Sequence, residues 1–310
     1  MTCKKIRTEN NCDKGGTVLL EGIVIKTLNS YYYIQHEQTV FVCKLRGRFK
    51  KDRYSITVGD RVRFEQLTDE TGIIEEVLPR HSVLTRPLVA NVDQVVLTFA
   101  GAQPDLHPLL LDRFLVLAED SGLQNILICI NKIDIADMTD IRSLLAPYQQ
   151  MGYKVLFVSA GENAGLDELR AALTDKISVF AGPSGVGKST LLNALDNNLN
   201  LATGSISEKI KRGKHTTRLA QLMPFVGGGF VVDTPGFSAT EFTHIDQKNL
   251  AACFVEFRPF LGQCKYSTCS HDHEPQCAIK DAVAAGTISA ARYSAYLNIL
   301  GEIQNIKRGF

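Results

Sequence analysis

The chain has 310 residues, enough for two or three domains with separate cores. Thirty-four basic side chains face 33 acidic ones for a net charge of +1, so any surface built for a polyanion has to be local. No apolar run approaches the roughly 18–20 residues of a membrane span, and the charged residues 1–7 have no apolar stretch behind them, which excludes a secretory signal pattern. The expectation is a soluble, cytoplasmic protein, and nothing in the pattern asks for an obligate oligomer.

Residues 1–16 are polar and expected to be frayed. From Thr17 the pattern turns β, with strands expected at 18–25, 31–34, 39–43, 61–64 and 72–78. Five short strands with turn signals between them suggest a small barrel of the oligonucleotide-binding (OB) type. Between the third and fourth lie Lys44, Arg46, Arg48, Lys50, Lys51 and Arg53 against one acid, Asp52, with Phe49 and Tyr54 available for stacking. These six cations are the candidate RNA-binding residues, because a basic loop with aromatics suits a nucleic-acid backbone. A solvated basic loop is the plain alternative.

Residues 80–87 read as a linker ending in Pro87. An α/β rhythm follows: strand 92–99, helix 109–119 opened by Pro108, strand 126–130, helix 141–151, strand 154–158, helix 166–173 and strand 177–180. Such alternation implies a mostly parallel sheet that collects ligands at the C-terminal ends of its strands. Asn131-Lys132-Ile133-Asp134, the pattern N-K-x-D, falls at one such end. A buried Asp134 carboxylate can accept from guanine N1–H and the 2-amino group, which adenine lacks. Asn131 would tether the loop, and the Lys132 stem would lie along the base. Ser159-Ala160 ends the next strand, where a small residue lets a backbone N–H approach the guanine O6 atom.

After strand 177–180 comes Gly182-Pro183-Ser184-Gly185-Val186-Gly187-Lys188-Ser189, followed by Thr190 and a helical run. Strand, glycine loop and helix are the context of a phosphate-binding loop. The glycines let several N–H groups point at one anion, and the helix adds its positive end. Lys188 would reach the β- and γ-phosphates, and Ser189 would ligate Mg²⁺. Within residues 212–218, Thr217 is the candidate to complete the Mg²⁺ shell, with Thr216 beside it as the alternative. Residues 219–226 and 230–233 read as a hairpin ending in Asp233-Thr234-Pro235-Gly236, D-x-x-G. Asp233 would hold Mg²⁺ through water, and the Gly236 N–H would contact the γ-phosphate.

The base-reading elements therefore precede the phosphate elements, the reverse of an ordinary guanine-nucleotide switch. This order implies a circular permutation. Four of the eight cysteines (Cys3, Cys12, Cys43 and Cys129) are scattered; three others cluster with histidines as Cys264, Cys269, His271, His273 and Cys277. A Cys₃His set is a closed tetrahedral arrangement, hence structural Zn²⁺, and spacing alone leaves His271 and His273 open. A final helix is expected over 287–303, with Arg292, Tyr296 and Leu300 on one face.

Permuted order, basic barrel and cysteine cluster together resemble the ribosome small-subunit-dependent GTPase A family, over the chain from Thr17 onward. The resemblance implies three domains: an OB-fold RNA-binding domain at 1–82, a circularly permuted GTPase domain at 83–245 and a zinc-binding domain at 246–310. It implies a cytoplasmic GTPase that binds the small (30S) ribosomal subunit and its 16S rRNA, acts late in subunit maturation and is stimulated by the subunit. It selects Cys264, Cys269, His271 and Cys277 as zinc ligands. Phe237 stands where many related switches carry a water-orienting glutamine, and the resemblance assigns that task to His215. A different reading keeps GTP binding but makes hydrolysis incidental to an RNA-binding assembly module.

Overall fold

Apolar alternation builds the first unit. The computed structural model describes residues 19–46, 55–85, 87–201, 220–233, 242 and 245–308, and it divides into two compact units between Pro79 and Arg80. In the first, β1 (Leu19–Leu28), β2 (Tyr31–His36), β3 (Thr39–Leu45), β4 (Arg61–Thr68) and β5 (Thr71–Val77) close into a barrel of order β1-β2-β3-β5-β4. Only the β3–β5 pairing is parallel. Every second side chain points inward, so Val24, Ile34, Phe41, Cys43, Val62, Phe64 and Ile74 fill the interior. This is the expected OB-type barrel. Arg48, Lys50, Lys51 and Arg53, with Phe49 and Tyr54, lie outside the described residues.

The second unit opens with a correction. Residues 80–87 do not form a plain linker: β6 (Val83–Thr85) and β7 (Leu88–Ala90) make a hairpin with Pro87 in its turn. Leu84, Val89 and Ala90 are buried, so the apolar alternation outweighs the proline. A six-stranded sheet follows, made of β8 (Gln94–Ala100), β9 (Ile126–Asn131), β10 (Lys154–Phe157), β11 (Lys176–Ala181), β12 (Met223–Pro224) and β13 (Gly229–Asp233). Its order is β10-β9-β8-β11-β13-β12, parallel except for the edge strand β12. All seven residues of β8 are buried, because helices cover both faces.

On one face Phe114 of α1 (Pro108–Asp120) meets Phe99 edge-on at 5.5 Å. On the other, leucines of α3 (Leu166–Leu173) and α4 (Lys188–Leu195) pack with Val96 and Phe180. Pro108 opens α1 where its missing N–H costs nothing. Asp137 caps α2 (Met138–Gln150) by accepting from the Thr139 and Asp140 N–H groups. The chain runs outward from β8 to β9 and β10, then returns to β11 and β13. The order thus reverses between β8 and β11, which defines the ligand-binding crevice of such sheets.

Beyond the sheet, 3-10 turns at Leu250–Cys253 and Val255–Phe260 lead to α5 (Ala278–Ala284) and α6 (Ala290–Arg308). The last helix begins three residues later than its periodicity suggests, and the seven-residue α5 is too short to announce itself by periodicity. Arg292, Tyr296 and Leu300 share a buried face. Arg292 is 3% exposed and donates to Asp112 of α1 (2.5 Å) and to both carboxylate oxygens of Glu256 (2.7 and 3.1 Å). Its guanidinium carbon lies 4.6 Å from the Phe254 ring centroid, and Tyr148 donates to Asp112 at 2.7 Å. Burial raises the Asp112 carboxyl above its ordinary range against the pull of Arg292. For Arg292, burial works against the charge, but the Glu256 hydrogen bonds and the Asp112 charge outweigh it.

Removing one partner of such a buried group leaves an uncompensated charge. Arg292→Met is expected to cost about 3–5 kcal/mol in denaturant unfolding. Lys154→Ala, which removes the exposed pair to Glu168 (3.5 Å), is expected to cost less than about 1 kcal/mol.

Candidate nucleotide and metal sites

The phosphate loop leaves β11 at Ala181 and enters α4 at Lys188. Gly182 has φ +146°, and a Cβ there would stand 2.0 Å from the Thr98 carbonyl oxygen. Gly187 caps α4 with φ +87°, and its Cβ would stand 2.7 Å from Asn131 Nδ2. Only glycine fits either position. Gly185 also has positive φ, Val186 is buried beneath the loop, and Ser184 is exposed. Lys188 Nζ donates to the carbonyls of Gly182 and Pro183, both at 2.8 Å, which holds the ammonium over the loop. Ser189 and Thr190 stand in the first turn of α4.

Asn131 ends β9 and is 2% exposed. Its Nδ2 donates to the Val186 carbonyl at 3.0 Å, and its Oδ1 accepts from the Ala160 N–H at 3.1 Å. One side chain thus joins the ends of β9, β10 and β11. Lys132, in the left-handed region at φ +61°, donates to the Gly185 carbonyl at 2.8 Å and to the Gln103 carbonyl. Asp134 sits with Ile133 in a short 3-10 turn and accepts from Ser159 Oγ at 2.6 Å. Ser159 is fully buried and also accepts from the Glu162 N–H at 3.0 Å. Asp134 itself is exposed, which corrects the expectation of a buried carboxylate: the turn projects it beyond the strand ends, and Ser159 orients it.

One wall of this site carries no motif. The loop after β8 lies against the phosphate loop, with the Gln103 carbonyl on Lys132 and Pro104 Cδ 3.8 Å from a Cβ built at Gly185. Its only signal in the sequence is its place beside the switch point. Asp233 ends β13, paired with Phe180 of β11. His215, Thr216, Thr217, Thr234, Gly236 and Phe237 lie outside the described residues. Of the candidate RNA-binding residues, Lys44 stands over the Tyr31 ring at 5.0 Å, and Arg46 is engaged by Glu75 at 2.7 Å.

The second cluster sits before α5. Donor atoms of Cys264, Cys269, His271 and Cys277 all lie within 4.8 Å of one another, while the exposed His273 faces Asp272. Cys264 and Cys277 sulfurs are 3.8 Å apart, and His271 Nδ1 is 3.5 and 3.4 Å from them. His271 adopts φ +61° and is fixed by the Tyr293 hydroxyl, which donates to its carbonyl at 2.7 Å. Glu274 closes the loop by accepting from the Ser270 N–H and hydroxyl and the Asp272 N–H. Burial pushes its carboxyl up, but these hydrogen bonds outweigh it and hold it at about 2. The thiols of Cys43, Cys129 and Cys253 stand apart from this cluster: each is buried in a core, where burial pushes it up to about 12 and keeps it neutral.

A phosphate loop at the switch point of a parallel sheet, bridged by one asparagine to an N-K-x-D turn, defines a guanine-nucleotide-binding P-loop domain in permuted order. The RsgA GTPase model matches residues 77–243 and the RsgA N-terminal domain model residues 21–74. The chain belongs to the RsgA GTPase family. The small ribosomal subunit biogenesis GTPase RsgA of Alkaliphilus metalliredigens is 43% identical over 291 residues, 93% of this chain and 99% of its own length. Its counterpart in Shouchella clausii is 44% identical over 293 residues, 94% and 99% of the two chains. The crystal structure of YjeQ from Thermotoga maritima matches with a TM-score of 0.80 at 38% identity, covering 93% of this chain and 99% of that one. YloQ, described as a circularly permuted GTPase, gives 0.78 at 36% identity, covering 95% and 98%.

Asn131→Ala leaves one buried and one half-buried backbone group without their partner. It is expected to weaken GDP binding about tenfold to a hundredfold in calorimetric titration. The Glu274 contribution to stability is fully present above its ordinary value of 4.5 and is lost as pH falls toward about 2. Glu274→Gln is therefore expected to be less stable than the native chain near neutral pH, with the difference closing below 4.5, as read by denaturant unfolding across pH.

Proposed function

We propose that this GTPase serves the assembly of the small ribosomal subunit in the cytoplasm and that the 30S subunit stimulates its turnover. The Asn131 bridge carries the nucleotide part of the reading, and the printed names of the RsgA relatives carry the ribosomal part. Asp134, oriented by Ser159, reads the N1–H and 2-amino groups of guanine, and the small Ala160 side chain leaves room for a backbone N–H to approach O6. Lys188 and the N–H groups of Gly182 and of residues 184–190 take the phosphates, with Pro183 shaping the loop between them. Ser189, Thr217 and, through water, Asp233 hold the Mg²⁺ that accompanies the nucleotide and neutralises phosphate charge. The Gly236 N–H senses the γ-phosphate. His215 orients the attacking water, since the Phe237 side chain has no hydrogen-bonding atom.

The cysteine cluster fits zinc. Zn–S and Zn–N bonds of about 2.3 and 2.0–2.1 Å put tetrahedral edges near about 3.8 Å for S–S and about 3.5 Å for S–N. The separations of 3.8, 3.5 and 3.4 Å agree. Four protein donors leave no open position, so the ion is structural. The barrel, with Lys44, Arg46, Arg48, Lys50, Lys51 and Arg53, contacts 16S rRNA. The division into RNA-binding (1–82), GTPase (83–245) and zinc-binding (246–310) parts, in a monomer, is part of this reading.

A second reading, in which hydrolysis is incidental to a GTP-gated RNA-binding module, is favoured by Phe237. Single-turnover GTP hydrolysis with and without purified 30S subunits separates the two. Stimulation of at least about tenfold is expected, and His215→Ala is expected to abolish it while GTP binding is retained. Stimulation absent in the native chain rejects the proposal in favour of the module; stimulation intact in the variant removes His215 from its role. Metal analysis is expected to return one zinc per chain, and stripping it with a chelator to lower the unfolding midpoint.

A further inference from the structure

Strand β2 opens with Tyr31-Tyr32-Tyr33, and the two-residue alternation separates these rings. Tyr32 packs against the barrel core beside Ile34. Tyr31 and Tyr33 take the outer face, with Tyr31 40% exposed. Each carries a lysine. Lys26 of β1 is in register with Tyr33, its Nζ 5.6 Å from the ring centroid, and Lys44 of β3 stands 5.0 Å from the Tyr31 ring. Leu28, in register with Tyr31, and Val40 of β3 add exposed apolar surface. Among the described residues, neither lysine has a carboxylate partner.

Two arginines of the barrel are already paired. Arg63 of β4 lies between Glu76 at 3.0 Å and Glu21 at 3.8 Å, and Arg46 is engaged by Glu75. Lys26 and Lys44, with no carboxylate partner among the described residues, are left for an outside anion, and they stand over an exposed ring and a half-buried one on the same face. A ligand that matches both features alternates flat π-faces with negative charges, which describes single-stranded nucleic acid. A duplex buries its base faces and offers the rings nothing. An acidic protein segment would use the lysines without the rings.

Resting on the RNA-binding part of the function proposed above, we infer that the outer face of β1–β3 binds unpaired nucleotides, with bases stacked on Tyr31 and Tyr33 and phosphates drawn to Lys26 and Lys44. The test uses the full chain and a labelled oligouridylate of about ten nucleotides, with an RNA duplex of equal length as comparator. Anisotropy titrations are expected to give at least about tenfold tighter binding of the single strand. Tyr31→Ala and Tyr33→Ala are each expected to weaken it about tenfold, and the phenylalanine variants to restore it. Lys26→Gln and Lys44→Gln are each expected to lower the salt slope by about 0.7. GDP affinity, unchanged in all variants, reports that they are folded. No binding of the single strand, a preference for duplex, or alanine variants that bind like the native chain would each overturn the inference. The ribosomal reading fails separately, if 30S subunits do not stimulate the native chain.

Discussion

The nucleotide site depends on a single buried amide. Asn131 has one donating and one accepting end, and it spends them on the Val186 carbonyl and the Ala160 N–H. Left unmade in a buried setting, each bond costs about 1–3 kcal/mol, so the loops after β9, β10 and β11 are held in fixed relation. Gly187 is part of the same constraint, because any Cβ there would collide with the Asn131 amide. These bonds span 55 and 29 residues of chain. They fix positions of strand ends and are indifferent to the order in which the chain visits them. That is the physical reason a permuted sequence can assemble the same pocket.

A second constraint fastens the C-terminal segment to the sheet. Helix α1 supplies both anchor residues, side by side in sequence. Asp112 takes the buried guanidinium of Arg292, and Arg113 pairs with Glu302 of the same helix at 2.5 Å. Arg113 also stacks on Phe242, six residues past Gly236 and 1% exposed, at 4.6 Å. The chain that leaves the D-x-x-G segment and helix α6 are thus fixed to one residue. Arg258 adds a third tie through Glu119 at 2.6 Å. Directly before α1 runs the loop whose Gln103 carbonyl takes Lys132, so α1 spans the distance from the C-terminal segment to the nucleotide site.

Legibility in the sequence followed the chemistry. The phosphate loop, N-K-x-D and the cysteine cluster were readable because phosphate, guanine and a tetrahedral metal each demand particular residue types at short spacing. The barrel and sheet were readable from alternation and rhythm. What escaped was set by distance or by backbone. The Gln103 carbonyl has no side-chain signature, and any residue could offer it. Arg292 was visible as part of a helix face, but its partners Asp112 and Glu256 lie 180 and 36 residues away, so its burial as a charge could not be foreseen. Asp134 was expected inside and stands outside, because a 3-10 turn after the strand carries it past the end of the sheet. The β6–β7 hairpin was hidden by Pro87, which forms its turn.

The metal cluster and the ionic core meet on one helix. Arg292 and Tyr296 point from α6 into the protein, and Tyr293 and Tyr296 donate to the carbonyls of His271 and Ser270 at 2.7 and 2.6 Å. Those carbonyls belong to the loop that presents the His271 imidazole to three thiols, with its backbone in the left-handed region. A metal ion that fixes the four donors therefore also fixes the acceptors that α6 binds. The same helix, one residue before Tyr293, holds the guanidinium on which Asp112 and Glu256 depend. Stability of the cluster and stability of the α1 contact are consequently not separable quantities. The coupling needs no long-range wire, because the five residues from Arg292 to Tyr296 span little more than one helical turn.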